Sequence, residues 1–230
     1  MEIRQLTTDH ERRIFANRAT EARATRGFGF RYIKLSHFEK SLRFQTVYGI
    51  FETAHALADD MVAGFAMHDL ASLPQSFSKP DLSHLPPSSV VEGGVLWSLS
   101  RGAAGVARQI APVIVGILQA KAVLLYPLCK PVDLTSPHRE LGFVNACEPI
   151  PNGLAQTLQG EPLWVQPVIL EGEKLQAYVR WGFDCLFRNQ DGRQVFNLDS
   201  RRPGRPIPIS GPLQRDHAPL RTDRISIPAV

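Results

Sequence analysis

Apolar positions along residues 95–118, VLWSLSRGAAGVARQIAPVIVGIL, change their period partway through the segment. The first part reads as an apolar strand. Past Ser100-Arg101-Gly102-Ala103-Ala104-Gly105 the apolar residues Val106, Ile110, Val113, Ile114, Ile117 and Leu118 fall on one helical face. The pattern predicts a strand over 90–100, a helix over 103–120 and a buried strand over 122–128. A strand–helix–strand unit of this kind joins parallel strands by a right-handed crossover. Pro112 lies inside the helical stretch and predicts a kink or a split near 108–111.

The same reading extends to both sides. Residues 1–6 predict a short strand, and Thr7-Thr8-Asp9 caps a helix over 9–25 that carries Ile14, Arg18 and Ala22 at helical spacing. RYIKLSHFEKSLRF (31–44) predicts a second helix with Ile33, Phe38 and Leu42 toward the core. TVYGIFE (46–52) and MVAGFAMHDL (61–70) predict two antiparallel strands, with Asp59-Asp60 in a suitable turn. The polar stretch 71–89 holds four prolines, a length of loop that is more often functional than incidental. Further on, the pattern predicts a short helix near 133–141, a strand opening in GFVNACEPI, and strands at LWVQPVIL (163–170) and LQAYVRWGFDCLF (175–187). The sum is an α/β plan on a mixed sheet. Residues 1–199 form one domain in this reading, and 200–230, rich in proline and arginine, form an extended or disordered tail.

Composition narrows the function classes. The chain has 230 residues, 43% hydrophobic and 21% charged, ordinary for a soluble globular protein. Its formal charge of +4 suits anionic ligands such as a coenzyme's phosphates or an acidic carrier protein, and is too small to imply nucleic acid. Residues 188–230 contain eight arginines against four aspartates, which reads as a solvated tail. Cys129, Cys147 and Cys185 are odd in number and widely spaced, the pattern of reduced thiols in a cytoplasmic protein. The N-terminus lacks the apolar core of a signal peptide, and the longest apolar run is too short for a membrane span. The seven histidines show no metal-ligand spacing, and no Gly-x-Ser-x-Gly elbow surrounds Ser98 or Ser100.

The strand-to-helix turn at 98–107 carries the candidate chemistry. Unpaired N–H groups and aligned peptide dipoles at a helix start attract phosphate, and small residues let the backbone approach the anion. Ser100, Arg101, Gly102, Ala103, Ala104 and Gly105 supply small residues, a hydroxyl and a guanidinium there. A helix that packs tightly on a sheet would begin in the same way. Gly93-Gly94 marks a bulge or close-approach point in the preceding strand.

In order along the chain, the central strand, the small-residue turn with Arg101, the helix, the strand AVLLYPL and the ending Arg139-Glu140-Leu141-Gly142-Phe143 resemble the GNAT acyltransferase superfamily. Val62-Ala63-Gly64-Phe65, the loop starting Leu70-Ala-Ser-Leu-Pro74 and Trp97-Ser98-Leu99-Ser100-Arg101 are similar to its acyl-homoserine-lactone (autoinducer) synthase and N-acyl amino acid synthase branch. The likeness covers about residues 46–145. Ser98 stands where that branch carries an acidic residue, and Glu39 alone represents its N-terminal acidic motif. The acyl-transfer scaffold is therefore implied more directly than the lactone product.

The resemblance implies a mixed, mostly antiparallel central sheet flanked by helices. It implies an acyl-CoA or acyl-carrier-protein thioester as co-substrate and a small-molecule amine, an amino acid or related metabolite, as acceptor. Backbone groups of Trp97 and Leu99 would face the pantetheine arm, and Ser100–Gly105 its phosphates. Glu92, placed by strand alternation on the side of Gly94, Leu96 and Ser98, is the candidate proton acceptor. His138 and Tyr126 are candidates for protonating the leaving thiolate. Each has a plainer reading: a strand-end carboxylate, a surface histidine, a tyrosine satisfied by a hydrogen bond, and for Trp97 core packing. A second reading of the whole is a catalytically degenerate acyltransferase-like domain that binds a partner through its basic tail.

Overall fold

Three adjacent strands, two of them buried along almost their whole length, build the centre of the molecule. The computed structural model describes residues 2–25, 30–32, 34–53, 56–71, 80–99 and 103–190. Strands β3 (Thr46–Phe51), β4 (Met61–Asp69) and β5 (Val90–Ser98) pair antiparallel in sequence order, and β1 (Glu2–Gln5) pairs antiparallel with β3. Helix α3 (Ala103–Ile117) then carries the chain to β6 (Ala122–Leu125), which runs parallel to β5. With β11 (Val168–Glu171) and β8 (Val144–Asn145) this gives a seven-stranded sheet in the order β1-β3-β4-β5-β6-β11-β8. Only β5 and β6 are parallel; the other pairs are antiparallel. A smaller antiparallel sheet follows the order β2 (Phe30–Tyr32), β9 (Ile150–Thr157), β10 (Pro162–Val165), β7 (Leu128–Lys130).

Helices cover both faces of the large sheet. On one side α1 (Asp9–Thr25) and α2 (Leu35–Ser41) bury Phe15, Phe38, Phe51 and Trp97 in one cluster. Thr8 starts α1 with a reciprocal cap: Glu11 N–H donates to Thr8 Oγ1 at 3.2 Å, and Thr8 N–H donates to a Glu11 carboxylate oxygen at 3.1 Å. On the other side α3 and α5 (Gly172–Gln190) pack Val106, Ile110, Ile114, Leu175 and Tyr178 against Phe65, Val91, Val123 and Leu170. Each such side chain contributes roughly 1.5–3 kcal/mol by leaving water. The expected fold class, a mixed and mostly antiparallel sheet between helices, is the one observed.

Five local expectations change. The expected strand over 122–128 divides into β6 and β7, which belong to different sheets. The segment 175–187 is helix, within α5, because Leu175, Tyr178, Gly182 and Cys185 are buried at intervals of three and four residues. Its Tyr, Val, Trp and Phe content favours strand, but the burial period decides. Phe30–Tyr32 is a strand, so the second helix begins only at Leu35 and ends in a 3-10 turn over Leu42–Phe44. Gln166-Pro167 divides 163–170 into β10 and β11, which belong to different sheets. Helix α3 runs through Pro112 without a break. Phe38 and Leu42 are buried as expected. Ile33, residues 72–79 of the 71–89 loop and all of 200–230 lie outside the described residues. All three cysteines are free thiols. Among the described residues no helix is long and apolar enough to cross a membrane, and no group of three His, Cys, Asp or Glu side chains is placed to hold a metal.

The approach of α5 to α3 depends on a missing side chain. A Cβ at Gly182 would lie 2.8 Å from Pro112 Cγ and 3.1 Å from the Gln109 carbonyl oxygen. Gly182→Val should therefore force the helices apart, at a cost of about 1–3 kcal/mol. Thermal unfolding followed by circular dichroism should show a lower midpoint, by about 2–4 °C per kcal/mol.

Candidate active site

Two glycines disturb β5 and set the site's geometry. Ala66 pairs with Val95, but Met67 pairs with Gly93, so Gly94 is an extra residue, at the pair of glycines where the sequence predicts a bulge. At both positions the end of a neighbouring side chain stands where a Cβ would go. A Cβ on Gly93 would collide with the Leu125 side chain, and one on Gly94 with the Gln45 carboxamide. On its other edge β5 pairs with β6 only over Val90–Glu92, although it continues to Ser98. Beyond Glu92 the pairing with β6 stops, and β6 itself ends at Leu125.

The bulge also reverses which side chains share a face. Glu92 pairs with His68, and Trp97 with Gly64, all on the face under α1 and α2. Glu92 is thus on the side of Val95 and Trp97 and not, as simple alternation predicts, on that of Gly94, Leu96 and Ser98. The carboxylate is buried. His68 Nε2 stands 3.3 Å from Glu92 Oε1, close enough to attract but not aligned for a hydrogen bond, and the Tyr126 hydroxyl donates to Glu92 Oε2 at 3.4 Å. Burial, and after it the neighbouring Glu92 charge, pushes the Tyr126 hydroxyl well above its ordinary pKa. That tyrosine holds the carboxylate in place and is a poor proton donor to anything else. Leu82, Leu85 and Tyr126 pack against the same cluster of Val90, Ala122, Leu124 and Ile169, which brings the end of the long loop over this face.

Gln45 completes a row that sequence reasoning missed. Continuing the β3–β4 register past Thr46↔Met67 sets Gln45 beside His68, which pairs with Glu92. The three are 7%, 6% and 4% exposed. Gln45 Nε2 donates to the Ser41 carbonyl at 3.3 Å, which leaves Oε1 turned toward Gly94 without a partner. Both ring nitrogens of His68 are buried and lack a hydrogen bond. No motif marks Gln45 or His68, because only strand register places them together.

The positions expected to hold a cofactor divide. Ser100, Arg101 and Gly102 lie outside the described residues, as does the side chain of Ala104. Ala103 is fully buried at the start of α3, while a Cβ on Gly105 would meet nothing within 4 Å. Among the described residues nothing covers that side of the helix start. The Trp97 ring is core: it meets Phe15 edge-on at 5.5 Å under α1. Leu99 N–H donates to the Val62 carbonyl at 2.8 Å, so the expectation that Trp97 and Leu99 offer backbone groups to the pantetheine arm is reversed. In an antiparallel ladder successive residues alternate between edges, so Leu96 and Ser98 direct their backbone groups to the β6 side.

His138 is not brought to Glu92. It lies on α4 (Ser136–Glu140), with its ring edge-on to Phe143 at 5.8 Å, and Phe143 belongs to the cluster under α3 and α5. That is the opposite face of the sheet. Burial, with the Arg108 guanidinium as second cause, lowers its pKa from 6.5 to about 4. At pH 7 the ring is in its neutral form.

What the chain resembles among solved structures are N-acetyltransferases. A spermidine N-acetyltransferase SpeG chimera from Vibrio cholerae and hSSAT is 13% identical over 78% of this chain and 99% of its own, with a TM-score of 0.48. Ribosomal-protein-alanine N-acetyltransferase from Brucella melitensis is 12% identical over 75% and 100%, at 0.46. Aminoglycoside 6'-acetyltransferase type Ii is 9% identical over 74% and 97%, also at 0.46. No protein-family profile and no curated protein sequence matches the chain. No residue role is taken from these likenesses.

The His138 environment generates a pH prediction. Its folded pKa lies below the unfolded value, so the unfolded chain binds the proton first, and stability falls as pH drops from about 6.5 toward 4. Urea unfolding across this window should show a shallower loss for His138→Gln than for the parent. Arg108→Gln should raise the His138 pKa but leave it below 6.5, since burial is the larger cause. Histidine NMR titration measures that shift.

Proposed function

We propose that the chain is an N-acyltransferase of GNAT-like type, which moves an acyl group from an acyl-CoA or acyl-carrier-protein thioester to an amine of a small molecule. One observation carries the reading: a buried carboxylate, Glu92, lies beside a bulge at the point where the β5–β6 pairing ends. A thioester brings an electrophilic carbonyl and a thiolate able to leave. The residues present fit such a group. Leu96 and Ser98 direct backbone groups to the β6 side, and among the described residues nothing lies within 4 Å of a Cβ placed on Gly105 in the first turn of α3, where a phosphate would sit. In the sequence, Arg101 lies two residues before α3 and carries a positive charge.

Within the site Glu92 takes a proton from the incoming ammonium and so frees its lone pair for attack. Tyr126 keeps one carboxylate oxygen oriented through its hydroxyl. The apolar side chains around the cluster exclude water and strengthen these polar contacts. The autoinducer-synthase branch has only the loop and Trp97–Arg101 pattern behind it, so the acceptor is an amine in general and not a committed lactone precursor.

Thermal-shift measurements with CoA, acetyl-CoA, longer acyl-CoAs and acyl carrier protein test the donor. Ligand at a hundredfold excess over Kd stabilises the folded state by about 2.7 kcal/mol. Arg101→Ala should remove that stabilisation and leave the unliganded midpoint unchanged. Glu92→Gln should retain the shift and lose about 10²–10⁴-fold in kcat, the usual contribution of a positioned base. Absence of stabilisation by every donor overturns the proposal and leaves the partner-binding reading.

A further inference from the structure

A cavity of about 250 Å³ opens between α2 and β9, lined among the described residues by Lys34, His37, Gly153 and Leu154. Strand register explains why it exists. The β9–β10 pairing steps from Gln156 opposite Pro162 to Asn152 opposite Leu163, so Gly153, Leu154 and Ala155 loop out of that ladder. On the other edge of β9 the pairing with β2 ends at Ala155, opposite Tyr32. Asn152 Oδ1 accepts the Leu154 N–H at 2.9 Å and the Ala155 N–H at 3.1 Å, which holds the looped-out residues in one shape. Across from this wall stand Lys34 and His37, at the start of α2. The volume lies below the roughly 300–1,000 Å³ of sites for drug-sized molecules, so the occupant is small.

The lining selects the chemistry. The Lys34 ammonium carries three N–H donors and no acceptor, and the His37 ring donates at least one N–H in either protonation state. Among the described residues neither side chain is held by an ion pair or a side-chain hydrogen bond, and no acidic side chain lines the cavity. Basic groups three residues apart on a helical turn are neighbours that repel when both are charged, and an anion between them removes that repulsion. Leu154 and the aliphatic stem of Lys34 supply an apolar wall. Gly153 leaves room, since a Cβ there would meet nothing within 4 Å. We infer that this cavity is a binding site for a short aliphatic carboxylate, with its oxygens taken by Lys34 and His37 and its hydrocarbon part set against Leu154. β9 belongs to the small sheet and Glu92 to the large one, and the inference does not rest on the acyl-transfer reading.

The test uses binding, not turnover. Full-length protein carrying 15N-labelled histidine is titrated at fixed pH with sodium butyrate, and in parallel with butyramide, its uncharged isostere, and with sodium phosphate, all at matched ionic strength. The His37 ring signals are assigned by their loss in His37→Gln. The expected result is a saturable shift of the His37 signals with butyrate and none with butyramide. Phosphate, which has no hydrocarbon to bury, should bind about tenfold more weakly. Lys34→Met keeps the stem and removes the charge, and should weaken butyrate binding about tenfold or more, as for loss of one hydrogen bond to a charged group. Lys34→Arg, which keeps the charge, should retain most of it. Gly153 does not use a left-handed backbone, so Gly153→Leu is tolerated there and should abolish binding by occupying the open space. No saturable shift, equal response to butyrate and butyramide, phosphate bound as tightly as butyrate, or Lys34→Met and Gly153→Leu titrations identical to the parent overturns the site. Because no thioester is present, failure here leaves the donor experiment standing, and failure there leaves this one standing.

Discussion

One extra residue in one strand governs the site. The bulge at Gly94 shifts the β4–β5 register and moves Glu92 onto the same face as Trp97. Along the same strand the pairing with β6 ends at Glu92. Without the bulge Glu92 would project toward α3 and α5, into the apolar cluster those helices cover. A buried carboxylate is tolerated in the present arrangement because Tyr126 donates to it and His68 stands against it. The two glycines are thus constrained by their neighbours: Leu125 and Gln45 fill the space a side chain would need.

The two faces of the sheet do different work. Under α3 and α5 the packing is apolar and close, with Gly116 and Gly182 admitting Val179, Phe183 and Pro112 from the opposing helix. The other face is also apolar beneath α1, where Phe15 and Trp97 meet, but it turns polar toward the N-terminal end of β5. Among the described residues, three of the six buried polar side chains lie there, in the row of Gln45, His68 and Glu92. A rigid apolar layer behind a polar row is the arrangement by which proteins hold reactive groups in one orientation.

Much of the architecture was legible in the residues. Apolar periodicity located β3, β4, β5, α1 and α3 within a few residues, and the strand–helix–strand order around α3 implied the single parallel pair. Residues 175–187 were misread because β-prone side chains there lie on a helical period, and the period prevails once the helix can bury one stripe on α3. The site was legible in part. Glu92 and Tyr126 do come together, but their partner His68 lies 24 positions before Glu92 and carries no motif. His138 looked suitable by its place before Gly142, yet it faces Phe143 across the sheet from Glu92.

By itself the sequence determined the element types, the mixed sheet and the glycine pair that interrupts β5, because these follow from local sterics and from the spacing of apolar side chains. Only tertiary structure decided which side of the sheet each polar group faces. A single bulged residue inverts that alternation, and its effect depends on the register of three strands at once. Burial likewise determined that His138 is neutral at pH 7 and that Tyr126 keeps its proton, since both depend on surroundings contributed by distant parts of the chain.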